Sequence, residues 1–147
     1  MNLSSNSNNR SLDPAYLVKE LESLDVKRRE KARRTLAALG NPALPELTRA
    51  LSNPTEWVRW EAAMSLTLLA NPESISALIA ALDDVSPAVR LAAIEALIAI
   101  GRPAVTPLVQ AVKQKNDSPA LRQGARRVLQ TLKLRGKLTL TNIPKIS

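Results

Sequence analysis

Apolar residues recur along this chain with the period of an amphipathic helix. In the stretch "VRLAAIEALIAIG", one helical face carries Val89, Ala93, Ala96, Leu97 and Ile100. Segments with this spacing follow one another through most of the chain, and short stretches with proline, glycine or asparagine separate them. The pattern predicts a succession of short helices, each with one apolar face that must be buried.

The first of these helical patterns occurs four times. The copies read "RREKARRTLAALG", "VRWEAAMSLTLLA", "VRLAAIEALIAIG" and "LRQGARRVL", and successive copies are shifted by 30, 31 and 32 residues. Three positions are common to all four copies: an arginine (Arg29, Arg59, Arg90, Arg122), an alanine (Ala32, Ala62, Ala93, Ala125) and a leucine (Leu36, Leu66, Leu97, Leu129). Recurrence at a fixed period indicates a repeat architecture.

A second pattern follows each of the first three copies. It reads "NPALPELTRAL", "NPESISALIAAL" and "RPAVTPLVQAV", with a proline opening each segment and apolar residues aligned at two positions. Each unit is therefore predicted to be a helix–turn–helix of about 31 residues. A single hairpin of this kind cannot bury its apolar face, whereas stacked copies bury a continuous two-layer core.

Capping signals mark the expected helix starts. A side chain that can accept a backbone N–H is followed by proline, which suits the first helical position, at Asp13-Pro14, Asn53-Pro54, Ser86-Pro87 and Ser118-Pro119. Gly40 and Gly101 lie where helices are expected to end. A preceding helix, roughly Pro14 to Ser23, is predicted to cover the first unit.

The chain divides into three segments by pattern. Residues 13–135 are predicted to form a single repeat domain, because the helical periodicity runs through them without a break. Residues 1–12 are polar and are expected to be disordered. Residues 136–147 alternate weakly and contain Pro144, so they are interpreted as a C-terminal tail.

The "VRxxAaxAL" first helix with its proline-started second helix resembles HEAT repeats, specifically the short HEAT-like repeat of the phycobilisome lyases. The resemblance covers roughly residues 25–134. It implies an all-α fold, a right-handed α-solenoid of about four HEAT-like units in two layers, and a protein-interaction scaffold as the usual function. It also implies an alternative, a bilin-lyase-like or phycobilisome-associated bacterial factor.

Composition removes several kinds of chemistry. The chain has no cysteine and no histidine, so disulfides, thiolate metal sites, an ordinary Ser-His nucleophile and the commonest metal ligand are excluded. We therefore expect no enzymatic activity, no metal and no cofactor. No apolar run approaches the length of a membrane span, and the N-terminus lacks the apolar stretch of a signal peptide. The expectation is a cytoplasmic protein.

The formal charge of +8 is distributed unevenly. Residues 1–50 carry a net charge of +3, residues 51–101 of −4 and residues 102–147 of +9. The doublets Arg33-Arg34 and Arg126-Arg127 occupy equivalent repeat positions in the first and last copies. They are interpreted either as charged caps of the stack or as patches that bind an acidic partner protein.

Non-specific nucleic-acid binding through these basic ends is the alternative that charge favours. The acidic middle and the absence of aromatic residues beside the cations oppose it, because single-strand binders combine cations with stacking aromatics. The sequence leaves the oligomeric state open.

Apolar candidates for a partner site lie in the middle units. Trp57 and Trp60 share one helical face; packing is favoured for Trp60 and partial exposure for Trp57. On the second helices, packing between units is favoured for Ile79 and Val109; the alternative is that they form a small apolar strip that could receive a partner helix. The four repeated arginines are expected to make structural contacts between adjacent units, with carboxylates or carbonyls as their partners.

Overall fold

A computed structural model describes residues 9–115 and 117–136 of the chain. Within these ranges the chain forms α-helices, short 3-10 turns and loops, without a strand. The α-helices are α1 (Pro14–Glu20), α2 (Val26–Leu39), α3 (Leu44–Ala50), α4 (Glu56–Leu69), α5 (Ile75–Ala81), α6 (Pro87–Ile100), α7 (Val105–Gln114) and α8 (Pro119–Leu134). Most of the predicted N-terminal segment and C-terminal tail lies outside the described residues.

The helices stack in two layers, as predicted for an all-α solenoid. Helices α2, α4, α6 and α8 pack side by side in chain order and form the first layer. Helices α1, α3, α5 and α7 form the second layer, and each of them packs against the first-layer helix that follows it. Among the described residues there are three complete helix pairs, flanked by α1 on one side and by α8 on the other.

Side-chain caps start most of these helices. Asp13, Ser86 and Ser118 each accept a hydrogen bond from a backbone N–H in the first helical turn, as predicted. Asn53 differs, because α4 begins only at Glu56. The Asn53 side chain instead accepts a hydrogen bond of 2.8 Å from the Thr55 N–H and forms a turn before the helix. The prediction of a helix start at Asn53-Pro54 was therefore wrong by two residues.

The first-layer helices end in a backbone conformation that favours glycine. Gly40 and Gly101 have φ values of 72° and 82°, as expected for glycine beyond a helix end. The equivalent residue of the second unit is Ala70, which adopts the left-handed conformation with φ 48°. A residue with a Cβ atom is strained there by about 1 kcal/mol. All three helices thus end at a residue with positive φ, but ψ is −137° at Gly40 and −134° at Gly101, whereas Ala70 has a ψ of 37°.

The core is aliphatic throughout. The shared first-helix leucines are buried, with exposed fractions of 0% for Leu36, Leu66 and Leu97 and 4% for Leu129. The shared alanines lie beside them and are at most 2% exposed, which allows neighbouring helices to approach closely. Leu17 and Leu21 cover the first unit as predicted.

No single helix in residues 9–115 and 117–136 has the length and apolar character needed to cross a bilayer. The segments Pro87–Ile100 and Arg102–Gln114 meet those criteria only when taken together, and the chain bends by 117° between them.

Candidate functional site

The repeated arginine makes the same local contact in three of the four units. Its Nη1 atom donates a hydrogen bond to the backbone carbonyl six residues earlier, at 2.8 Å for Arg29, 2.9 Å for Arg59 and 2.8 Å for Arg90. The contact fastens the start of each first-layer helix to the preceding loop. For Arg122 the corresponding carbonyl belongs to residue 116, which lies outside the described residues.

Arg59 also connects two units. Its Nε atom lies 2.8 Å from Asp84 Oδ2 and its Nη2 atom lies 3.0 Å from Asp84 Oδ1, so the guanidinium holds both carboxylate oxygens. Asp84 is in the loop before α6, and the two side chains are only 12% and 9% exposed. A bidentate pair of this kind fixes the orientation of α6 against α4.

The surroundings of Asp84 act on its pKa in opposite directions. Burial raises the pKa of the carboxyl group, but hydrogen bonds from Arg59 and from the Ser86 N–H, together with the charges of Arg59 and Arg90, outweigh burial and lower it. The same hydrogen bond raises the pKa of Arg59. Both groups therefore remain charged at neutral pH.

A second connection joins α2 to α4. Glu61 on α4 is 4% exposed and is the one buried charged residue in the described part of the chain. Arg33 Nη1 lies 2.8 Å from Glu61 Oε2, and Arg29 Nε lies 3.4 Å from Glu61 Oε1. The Arg33 guanidinium also lies over the Trp60 ring, 5.8 Å from its centre. Two arginines one helical turn apart thus hold one carboxylate of the next unit.

The remaining arginines of this end have partners nearby. Arg34 contacts Glu30 one turn earlier on α2, at 2.6 Å. Arg28 contacts Glu20 on α1 at 2.8 Å. Both arginine side chains are more than half exposed, so these pairs add little to stability. They do give these two arginines carboxylate partners within the chain.

The opposite end has no such partners. Arg126 and Arg127 on α8 are exposed, and among the described residues no ion pair joins either of them to a carboxylate. Residues 117–136 contain five basic residues and one acidic residue, a net charge of +4. Arg127 lines a shallow groove between α6 and α8, beside Leu91 and Gly124. We call Arg122, Arg126, Arg127, Lys133 and Arg135 the basic end.

The apolar candidates do not form one surface. Trp57 is 45% exposed, whereas Trp60 is half-buried against the core. Ile79 is also half-buried against the core, and Val109 is only 6% exposed. Val109 is therefore packed in the core, as favoured from the sequence, and does not lie open in an apolar strip.

The matching family model is that of HEAT repeats, over residues 14–85 and 51–130. The chain belongs to the HEAT repeat family. It is also similar to the uncharacterized phycocyanin operon protein Z of Pseudanabaena tenuis (strain PCC 7409), at 34% identity over 114 residues. This alignment covers 71% of the chain and 56% of the relative, so the chain spans little more than half the length of that protein.

A solved structure has the same fold. The crystal structure of an engineered protein superimposes with a TM-score of 0.53 and 23% identity, and the match covers 88% of this chain and 64% of that one. The likeness concerns the fold alone.

As a HEAT-repeat protein, the chain has the architecture of an interaction scaffold. The described residues include no cluster of three acidic side chains that could hold a metal ion. Sequence reasoning identified the basic end and the arginines but missed Glu61. The sequence does mark Glu61 in one way: it is the only acidic residue at a repeat position that is occupied in the other units by Lys31, Ala92 and Gly124.

Proposed function

We propose that the chain is a non-enzymatic HEAT-repeat module that binds an acidic partner protein through the basic end. One observation carries the proposal. The doublets Arg33-Arg34 and Arg126-Arg127 are equivalent in the repeat, yet only the first has carboxylate partners among the described residues. A cation that serves only to keep the end of a stack soluble needs no partner, but a cluster with a net charge of +4 attracts an acidic surface strongly.

A protein partner is favoured over nucleic acid by the placement of the aromatic residues. The three aromatic residues lie on α1 and α4, away from the basic end, so no stacking platform accompanies those cations. The middle of the chain carries a net negative charge, which would repel a polynucleotide that extended along the stack. Similarity to a phycocyanin operon protein makes phycocyanin and its assembly factors the first acidic proteins to test.

The test compares two double variants of equal charge. Arg126→Ala with Arg127→Ala removes the exposed doublet, whereas Arg34→Ala with Arg49→Ala removes two exposed arginines that have partners on their own helices. Each variant and the unaltered chain are titrated against purified phycocyanin and against proteins captured from the native source. We expect the first variant to bind at least about tenfold more weakly and the control to bind like the unaltered chain. Equal loss in both variants would contradict the proposal.

The nucleic-acid alternative is tested in parallel. Labelled duplex and single-stranded DNA and RNA are titrated at about 50 and 200 mM salt, because phosphate contacts weaken steeply as salt rises. Micromolar binding with that salt dependence, lost in the variant without Arg126 and Arg127, would replace the protein partner with nucleic acid. We expect no such binding.

A further inference from the structure

The arginine pair that holds Glu61 recurs at the basic end. Arg29 and Arg33 lie one turn apart on α2, and a shift of 93 residues places Arg122 and Arg126 at the equivalent positions on α8. Helix α8 is oriented in the stack as α2 is, because equivalent residues are buried on both helices: Ala32 and Leu36 are 2% and 0% exposed on α2, and Ala125 and Leu129 are 0% and 4% exposed on α8. The face of α8 that carries Arg122 and Arg126 is therefore the face that, on α2, receives the next unit.

In the described residues, no carboxylate is paired with the arginines of this face. Arg122 is half-buried and Arg126 is exposed, and no carboxylate pairs with either of them in the described residues. Helix α8 has no acidic residue, and residues 137–147 contain neither aspartate nor glutamate. The second pair therefore lacks, in the described residues, the carboxylate that the first pair obtains from the next unit.

We propose that Arg122 and Arg126 bind a carboxylate on a helix of a different HEAT-type chain, which docks on α8 as α4 docks on α2. The inference rests on the proposed function and specifies its partner. The recognised helix carries glutamate or aspartate at the position of Glu61, followed by small residues. Ala62 and Ala63 follow Glu61 and are 0% exposed, which allows α4 to approach the neighbouring first-layer helices closely.

A second copy of this chain is a poor partner for the same site. Its exposed first-layer helix is α2, and the position of Glu61 is occupied there by Lys31. Stacking α2 of one copy on α8 of another would place Lys31 beside Arg122 and Arg126. Three like charges in one interface repel, so the chain is protected from stacking on itself and accepts a different, acidic partner.

One substitution allows the proposed carboxylate site on α8 to be tested with this chain alone. Lys31→Glu supplies the missing carboxylate at the equivalent position and converts α2 into a complement of α8. We expect the Lys31→Glu chain to associate head to tail, with a weight-average mass in sedimentation equilibrium that rises with concentration. The unaltered chain should show at least about tenfold weaker association. As a control for the charge change alone, Lys113→Glu on exposed α7 surface should behave like the unaltered chain.

The arginine pair is tested in the same background. Adding Arg122→Ala and Arg126→Ala to Lys31→Glu should restore the behaviour of the unaltered chain. Adding Arg126→Ala alone should weaken association partly, and this exposed residue can be replaced without loss of the fold, which far-ultraviolet circular dichroism checks. A Lys31→Glu chain that remains monomeric, or one whose association survives loss of both arginines, would overturn the proposed carboxylate site.

These outcomes are independent of the partner-binding experiment. If Lys31→Glu fails to associate while the variant lacking Arg126 and Arg127 loses its acidic partner, the basic end binds proteins by some other geometry. If Lys31→Glu associates through the arginine pair but no acidic partner is captured, the site exists and the proposed function is wrong.

Discussion

The two ends of the stack carry the same arginine doublet in different surroundings. On α2, Arg33 is held between the Glu61 carboxylate and the Trp60 ring, and Arg34 is paired with Glu30. On α8, the equivalent doublet is exposed without a carboxylate partner in the described residues. The residue type and the repeat position are therefore identical, and the difference lies in whether carboxylates lie beside the arginines in the described residues.

This difference shows that the contacts of a repeated residue depend on the neighbouring helix as well as on its position in the repeat. In a solenoid each unit contacts only its neighbours, so the contact partners of a side chain on one helix lie in the next unit, about 30 positions away in the sequence. An internal arginine becomes part of the connection between units. The equivalent arginine on α8 has no carboxylate partner in the described residues, and this difference is the basis of the proposed binding site.

The largest effect is expected from removing the carboxylate that distinguishes the two ends. Glu61→Ala leaves Arg29 and Arg33 without their shared partner, while their side chains remain about 80% covered. We expect the free energy of unfolding to fall by about 3 kcal/mol, measured by urea denaturation at pH 7. Glu30→Ala, which removes a partner of an exposed arginine, should change it by less than about 1 kcal/mol. Similar losses in the two variants would show that the Glu61 contacts between α2 and α4 contribute no more stability than an exposed ion pair does.

The second prediction concerns the connection between α4 and α6, and it depends on pH. The folded-state pKa of Asp84 is lowered, so the Arg59 contact contributes stability above the unfolded pKa of about 4 and loses it as pH falls through the folded pKa. Asp84→Asn should lower the free energy of unfolding by about 2 kcal/mol at pH 7.

The same variant should also lose less stability than the unaltered chain when pH falls below about 4. Urea denaturation at several pH values between 2 and 7 measures both effects. Asp117→Asn, an exposed substitution of the same kind, serves as the control. Parallel pH profiles for the unaltered chain and Asp84→Asn would contradict the assignment.

The last prediction compares the two doublets directly and includes the smallest expected effect. Arg33→Ala removes one of the two charges that hold Glu61 and the cation over Trp60, so we expect a loss of about 2 kcal/mol. Arg126→Ala removes an exposed residue without a partner and should change the free energy of unfolding by less than about 0.5 kcal/mol. Thermal melts followed by circular dichroism measure both. A loss as large for Arg126 as for Arg33 would mean that the basic end is a structural element.

Much of the fold could be predicted from the sequence because it depends on local patterns. The shared leucines and alanines repeat with helical periodicity, and that periodicity alone identifies the buried face. Caps such as Ser86 involve residues within one turn and were also predicted. The start of α4 was not, because Asn53 can cap a turn as readily as a helix, and the choice depends on how the loop packs against its neighbours.

The connections between units were harder to predict for a physical reason. Glu61 meets Arg33 across 28 residues, and Asp84 meets Arg59 across 25. Which side chains meet depends on the rotation of one helix against the next, and the repeat spacing does not specify that rotation. The exposure of Trp57 was anticipated from its position at the helix start, but the contact of Trp60 with Arg33 depends on the same rotation.

The position of α4 has a consequence for the order of folding. Glu61 connects it to the helix before and Arg59 to the loop after, so α4 is the element through which charge contacts run in both directions. All of these contacts join neighbouring units, and a topology in which each unit contacts only its neighbours folds fast. We expect the array to assemble outward from α4. Backbone amides there should exchange with solvent more slowly than those of α8, which the described neighbours hold from one side only.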